Sequence, residues 1–593
     1  MKISAAIAQF IGPDGNLAFP PTLSVPAVAE LMASMGGKSD TVVLIGHDYS
    51  ASREGVEERL TGAEVNARVK ALAVRLGQVA EPGDRAAILA ENSPSYLIAF
   101  LAAMYAGLIP VPLYDPNEPG HAGHLAAVLG DCTPAVILTT RSSARAVRAL
   151  QADRPQAERT RVIAVDAVPA ALASEYQPVS VGLDSPAFMQ YTSGSTRTPA
   201  GVIITHRSML ANMVQILTAA HVQEPPRIVN WLPLHHDMGI ILCALAVAMG
   251  IELDVMTPQA FLQDPTRWIA QLDRRYDNDH IYTVLPNFAF ELAATHGVPA
   301  EQVDLTAVEA IINGSEPVTI NTVDQFARAF APFGLGREAV RPSYGLAEAT
   351  LLVTTPQTDN RPYTVHFERA ALGEGRAVKA PEGPSTVAAT AVGEVVRPQW
   401  LVVVDPVTHD ELVDGSVGEL YVYGANVAGG YYERPDDTAA TFVNRLGARL
   451  AENSRAAGAP DDDKWLATGD LGVFVDNQMF ITGRIKDLIV IAGRNHYPAD
   501  IEGTVSESTD QVGDSAAFAV PGEDTEQLII LAERATDATA DDKTISDAIM
   551  AAVTSAHGVK PSDVRIMRPG EILRSSSGKI ARKVNQKKYI AGE

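Results

Sequence analysis

Apolar residues in the first half of the chain follow two alternating periods. Behind Thr61-Gly62-Ala63-Glu64, a capping-box pattern, Val65, Val69, Leu72 and Leu76 recur at helical spacing and predict an amphipathic helix. Short β-type runs predict strands over 85–90, 109–113 and 135–139, with a helix through 97–105 between the first two. Further runs over 162–165, 188–191, 202–205, 281–285 and 308–313 carry helical patterns between them. Strands alternating with helices imply largely parallel sheets covered on both faces, which bind ligands beyond the strand ends.

From about residue 394 the texture changes to short strands and turns, over 400–405, 418–424, 473–476 and 479–482, separated by Gly, Asp and Asn. The stretch 452–463, rich in Ala, Gly, Pro and Asp, reads as a solvated insertion. After Gly483 a strand, helix, strand, strand, helix series (487–491, 501–507, 516–520, 528–532, 545–556) predicts a compact α+β unit. The expected fold class is α/β: a large N-terminal part of layered, parallel-rich sheets over 1–345, a β-rich subdomain over 346–482, and a small mobile α+β domain over 483–593.

With 593 residues, 46% hydrophobic and 20% charged, the composition is that of a multidomain globular protein rather than a disordered or fibrous one. The net charge of −24 makes a nucleic acid an unsuitable main partner. Two cysteines, Cys132 and Cys243, cannot make a disulfide framework and favour a reducing compartment, so a cytoplasmic location is expected. Met1 to Phe10 makes a poor signal peptide. The uncharged stretch 97–113 is cut by Gly107, Pro110 and Pro112, so no membrane span is expected.

The sharpest chemical signal is Tyr191-Thr-Ser-Gly-Ser-Thr-Arg-Thr-Pro-Ala-Gly201. A strand runs into a loop where the hydroxyls of Thr192, Ser193 and Ser195, the Gly194 backbone and Arg197 can surround an anion, with phosphate the obvious guest. It is not a Walker A loop, because no Gly-Lys-Ser/Thr follows. A flexible surface turn is the alternative. The triplet His235-His236-Asp237 invites a metal reading, but adjacent residues on an extended segment point opposite ways and no i, i+4 pair supports them. An apolar run such as 240–251 is more often plain core than the wall of a lipid tunnel, and the sequence leaves both readings open.

The loop resembles the phosphate loop of the acyl-adenylate-forming superfamily, and the family's other motifs follow in order: Asn313-Gly314-Ser315-Glu316-Pro317, Ser343-Tyr344-Gly345-Leu346-Ala347-Glu348, Thr468-Gly-Asp470, Gly483-Arg484-Ile-Lys486-Asp487 and Ser575-Ser-Ser-Gly-Lys579. Trp231-Leu-Pro-Leu-His-His-Asp-Met-Gly239 and the long stretch between Thr350 and Gly393 narrow the resemblance to fatty acyl-AMP ligases, which carry an extra segment there (about 351–393). The loop and Gly493-Arg-Asn-His-Tyr-Pro498 are most similar to the long-chain ligases of mycolic-acid synthesis in mycobacteria and corynebacteria. Most of the superfamily has Gly and Lys where this chain has Arg197 and Ala200, so Arg197 would supply the loop's charge.

The resemblance implies an ATP- and Mg²⁺-dependent ligase that turns a long-chain fatty acid into acyl-AMP, then passes the acyl group to the phosphopantetheine arm of a polyketide synthase carrier domain. It implies that Thr192, Ser193, Gly194, Ser195, Thr196 and Arg197 hold the β- and γ-phosphates, and that Glu348, with Thr196, ligates Mg²⁺. Adenine would lie against Asn313 to Pro317 and Ser343 to Ala347, and ribose against Asp470 and Arg484. His235, Asp237, Met238 and Gly239 would border the acyl substrate, with His236 at the reacting centre. Lys579 would be the catalytic lysine and Lys486 the hinge of the mobile domain. Taken singly, Glu348 is equally a solvated helix-start glutamate, Asp470 a turn former, Lys486 a salt-bridging residue and Lys579 a surface residue. The alternatives are a long-chain acyl-CoA synthetase, which would make a thioester with free CoA, and a nucleotide-binding regulator with a dead site.

Overall fold

A computed structural model describes residues 7–12, 15–34, 39–118, 122–191, 199–357, 362–522, 526–574 and 579–592. The phosphate-loop residues Thr192 to Thr198 and the run Ser575 to Gly578 lie outside the described residues. Among the described residues no helix is long and apolar enough to cross a membrane.

The largest sheet has seven strands in the order Val340–Pro342, Val308–Gly314, His280–Pro286, Pro226–Asn230, Glu252–Met256, Val42–Asp48 and Val56–Thr61. All neighbours are parallel except the last pair, which closes one edge as an antiparallel hairpin. A second, wholly parallel sheet runs Ile109–Leu113, Arg85–Leu89, Val136–Thr139 and Arg161–Ala164. The helix predicted behind Thr61 spans Gly62–Gly77, with both capping-box bonds formed. Parallel pairing does not extend to the strands flanking the phosphate loop. Pro186–Tyr191 and Gly201–Thr205 form an antiparallel hairpin of their own, because only residues 192–200 separate Tyr191 from its partner Gly201, too few for a crossover helix.

Two clusters of buried side chains fill the large sheet's faces. Helix Asp237–Met249 lies between them and is buried all round, with Ile240, Ile241, Cys243 and Ala246 at 0% exposure.

The later chain contributes a four-stranded antiparallel sheet, Trp400–Val404, Gly418–Tyr423, Leu466–Val475 and Gln478–Arg484. The stretch 452–463 is not simply solvated: Glu411 accepts hydrogen bonds from the amides of Leu450 and Arg455 and from Ser454, and Arg449 donates to the carbonyls of Ala459 and Pro460. A buried carboxylate needs such donors, so the loop is folded onto it. Between Thr350 and Gly393 a small antiparallel sheet forms from Lys379–Ala380, Thr364–Glu368 and Thr386–Thr390. Beyond residue 484, Val512–Pro521, Glu526–Arg534 and Asp563–Met567 make a mixed sheet covered by helices Pro498–Ser508 and Asp542–His557.

Candidate active site

The motifs converge beyond the carboxyl ends of the large parallel sheet, where such sheets leave a crevice. Strand Pro226–Asn230 leads into His235, His236 and helix Asp237–Met249; Val308–Gly314 leads into Ser315 and Glu316; Val340–Pro342 leads into Ser343 and Tyr344. The last two are stitched together at their ends, Ser343 donating its amide to the Asn313 carbonyl at 2.8 Å.

Tight backbone packing shapes this wall. At Gly345 a Cβ would overlap the carbonyl of Leu351, and at Gly239 it would overlap the carbonyl of Pro233, so neither position admits a side chain. Gly314 has more room, with nothing nearer than 3.5 Å to a Cβ. Ser315 turns the chain with φ 74°, and its hydroxyl contacts the Met238 sulfur at 2.9 Å. Met238 is buried. Ser343 bonds Thr355 at 2.8 Å, and the Leu346 amide reaches the Leu351 carbonyl at 3.0 Å, with Ala347 buried beside it. Asn313 is fully buried and donates to the Asn287 side chain at 3.2 Å; Pro317 is exposed.

Asp470 is not a turn former. It lies within strand Leu466–Val475, directly opposite Arg484 on Gln478–Arg484, and is 6% exposed. Arg484 Nε donates to one of its oxygens at 3.0 Å and the Tyr344 hydroxyl to the other at 2.8 Å. The Asp470 charge raises the Arg484 guanidinium above its ordinary value. Glu348 is not a solvated helix-start residue either: it sits in a short 3-10 turn, Ala347–Ala349, half-buried, with one oxygen bonded by the Tyr431 hydroxyl at 2.8 Å. Burial raises its carboxyl above the ordinary range, with the Tyr431 bond opposing.

From the far end of the chain, Lys579 joins this group. Desolvation by the surrounding cleft lowers its ammonium, Arg484 adds repulsion, and Asp237, Glu316 and Asp470 oppose both; the residue still meets solvent, so the cleft is open. Asp237 and Glu316 are raised by burial, and in each case a backbone amide, of Met238 and Phe288, and the Lys579 charge pull back. Lys486 lies in the 3-10 turn Ile485–Asp487 immediately after Arg484.

The rings of His235 and His236 stand 4.4 Å apart at the start of helix Asp237–Met249, with Tyr114 edge-on to His235 at 5.2 Å and Gln190 donating to the His235 carbonyl at 2.8 Å. Among the described residues no cluster of three His, Cys, Asp or Glu side chains could hold a metal. Sequence reasoning missed Tyr431, and it missed Arg434, whose guanidinium pairs with Asp131 at 3.0 Å. The only available signal was the run Gly429-Gly-Tyr-Tyr-Glu-Arg-Pro435, which has loop composition.

Residues 33–432 match the family model described as AMP-binding enzyme, and residues 486–593 match that of the Disco-interacting protein 2-like AMP domain. The long-chain-fatty-acid–AMP ligase FadD32 of Mycobacterium marinum is 44% identical over 607 residues, covering 98% of this chain and 96% of its own. Among solved structures, one from studies of fatty acyl-adenylate ligases from E. coli and L. pneumophila superimposes with a TM-score of 0.80 at 28% identity, covering 97% of this chain and 99% of that one. The L. pneumophila fatty acyl-adenylate ligase in complex with acyl adenylate and pyrophosphate gives 0.71 at 30% identity, with 96% of each chain covered. The chain belongs to the AMP-binding, acyl-adenylate-forming enzyme family.

Proposed function

We propose that this protein activates a long-chain fatty acid with ATP, forming acyl-AMP and releasing pyrophosphate, and then transfers the acyl group to the phosphopantetheine thiol of a polyketide synthase carrier domain in mycolic-acid synthesis. The observation that carries the reading is that Lys579 shares one cleft with the charges of Asp237, Glu316, Arg484 and Asp470, which come from separate stretches of the chain. In the first step a carboxylate oxygen attacks the α-phosphorus while the bond to the bridging oxygen of pyrophosphate breaks. Two anions must approach, so an ammonium between them lowers the barrier chiefly by electrostatics. Lys579 fills that role, and the opposing charge of Asp237, which follows the two histidines assigned to the acyl substrate, supports the assignment.

Tyr344 and Asp470 hold the nucleoside: the ring offers a flat face to adenine, and the carboxylate accepts from ribose hydroxyls while Arg484 fixes its orientation. The phosphate segment Thr192 to Arg197 receives the pyrophosphate end. Mg²⁺ suits Glu348, because a hard cation takes one or two carboxylates plus substrate phosphates, and a half-buried carboxylate with one oxygen engaged by Tyr431 is of that kind. When bound, the ion neutralises charge on the phosphate oxygens. The residues then divide as 1–345 with the nucleotide and acyl sites, 346–482 with the inserted segment, and a mobile 483–593 hinged at Lys486. In the second step the thiolate attacks the acyl carbonyl and AMP leaves.

Incubation with ATP, Mg²⁺ and fatty acids from dodecanoate to stearate tests the reading. Accumulation of acyl-AMP with no acyl-CoA when CoA is added, and thioester on a phosphopantetheinylated carrier domain, is the expected result. Efficient acyl-CoA formation would make the protein an acyl-CoA synthetase, and absence of adenylate would leave only a nucleotide-binding regulator.

A further inference from the structure

The segment 428–434 touches two parts of the site that the sequence keeps far apart. At one end the Ala428 amide donates to the Glu348 carbonyl at 2.9 Å, and the Tyr431 hydroxyl donates to the Glu348 carboxylate at 2.8 Å. At the other, the Tyr432 amide donates to the Gly201 carbonyl at 2.8 Å, and Arg434 donates from one nitrogen to the Pro199 carbonyl and to Asp131, each at 3.0 Å. Asp131 in turn accepts from the Tyr191 hydroxyl at 2.6 Å. Tyr191 and Pro199 are the last described residues before and after the phosphate segment, so the Asp131–Arg434 pair ties its two roots together.

The segment is itself built for this. Gly430 has φ 117°, and a Cβ there would meet Thr438 at 2.6 Å, while the Tyr431 amide bonds the Thr438 hydroxyl at 2.9 Å. Glu433 adopts φ 51°, a left-handed conformation that is strained for a non-glycine residue, and it lies in the turn between Tyr432 and Arg434. Such strain persists where the surroundings over-determine it.

We propose that segment 428–434 is a yoke that sets the spacing between the Glu348 carboxylate and the residues flanking the phosphate segment, Tyr191 and Pro199, with Tyr431 and Arg434 as its positioning residues. The proposal rests on the adenylate-forming reading above. Neither residue touches the reacting atoms: Tyr431 acts through Glu348 and Arg434 through the loop roots. A purely structural part would weaken every substrate alike, whereas a yoke acts on the phosphate side alone. Outer-shell partners of this kind are worth on the order of 10–100-fold in affinity or activity.

The test uses the full-length protein with Tyr431→Phe, Arg434→Ala and Arg434→Lys, titrating ATP and pyrophosphate binding directly and measuring acyl-AMP formation against ATP, Mg²⁺ and dodecanoate. Tyr431→Phe should raise the Mg²⁺ needed for half-maximal rate about tenfold. Arg434→Ala should weaken ATP and pyrophosphate binding by at least that factor, with Arg434→Lys recovering part of it. The dodecanoate KM should stay within about twofold in every variant. Unchanged Mg²⁺, ATP and pyrophosphate constants would overturn the yoke, as would a rise in the dodecanoate KM equal to that for ATP. The binding titration separates the two ideas: ATP bound by the unmodified protein without adenylate formation overturns the functional reading, while the shifts in binding still decide the yoke.

Discussion

Two cations share one cleft and are held in contrasting ways. Arg484 stands opposite Asp470 on neighbouring strands, paired at 3.0 Å, and the carboxylate raises its guanidinium. Lys579 comes from a segment near the chain terminus, is lowered by desolvation and by Arg484 itself, and is balanced by the fields of Asp237, Glu316 and Asp470. A cross-strand ion pair over a buried carboxylate makes a fixed template. A cation held by fields from three sides can be withdrawn without breaking the fold. On the proposed reading, the large domain supplies the nucleotide wall, and the last hundred residues supply a charge that is brought up and removed, as gating by domain movement requires.

The wall should govern nucleotide binding. For ATP affinity Gly345→Ala should have the largest effect: its Cβ would overlap the Leu351 carbonyl, displacing Tyr344 and costing about 1–3 kcal/mol or more, so ATP affinity should fall on the order of 100-fold in a binding titration. Asp470→Asn comes next. It removes the charge that orients Arg484 and receives the Tyr344 hydroxyl, and should weaken ATP on the order of tenfold, with Tyr344→Phe milder. Survival of full ATP affinity in both variants would dissolve the contrast between wall and visiting charge.

The contributed charge should show itself in pH dependence. Lys579 is lowered, and only its protonated form serves, so the adenylation rate should decline as pH rises through that lowered value, earlier than for an ordinary lysine near 10.5. Lys579→Arg should keep whatever rate it has flat to higher pH, because guanidinium stays charged. The smallest effect is expected at Arg369. Its guanidinium clasps Asp500 with two bonds of 2.8 and 3.0 Å, joining the 351–393 segment to helix Pro498–Ser508, and Tyr497 adds a bond to the Leu372 carbonyl at 3.3 Å. Arg369→Ala should cost about 1 kcal/mol in thermal unfolding and free the C-terminal domain enough for a trace of thioester with CoA to become detectable.

What could be read from the sequence was local. The capping box at Thr61 and Glu64 and the motifs at strand ends are contiguous patterns whose chemistry follows from neighbours within a few residues. Asp470 reads as a turn because Thr-Gly-Asp is turn composition; only pairing with Gln478–Arg484 makes it a strand residue. The stretch 452–463 has loop composition, and the buried Glu411 that organises it comes from elsewhere. Arg434 with Asp131 and Arg369 with Asp500 are separated by 303 and 131 residues, and nothing in one segment's pattern points to the other. Long-range polar contacts are set by topology, which periodicity does not encode.

The most direct test of the central claim is to measure the two half-reactions separately in Lys579→Ala. The account expects single-turnover acyl-AMP formation to fall by on the order of 10²–10³, while transfer from supplied acyl-AMP to a phosphopantetheine thiol proceeds at the unmodified rate. Equal loss of both steps, or adenylation at full rate, would contradict it.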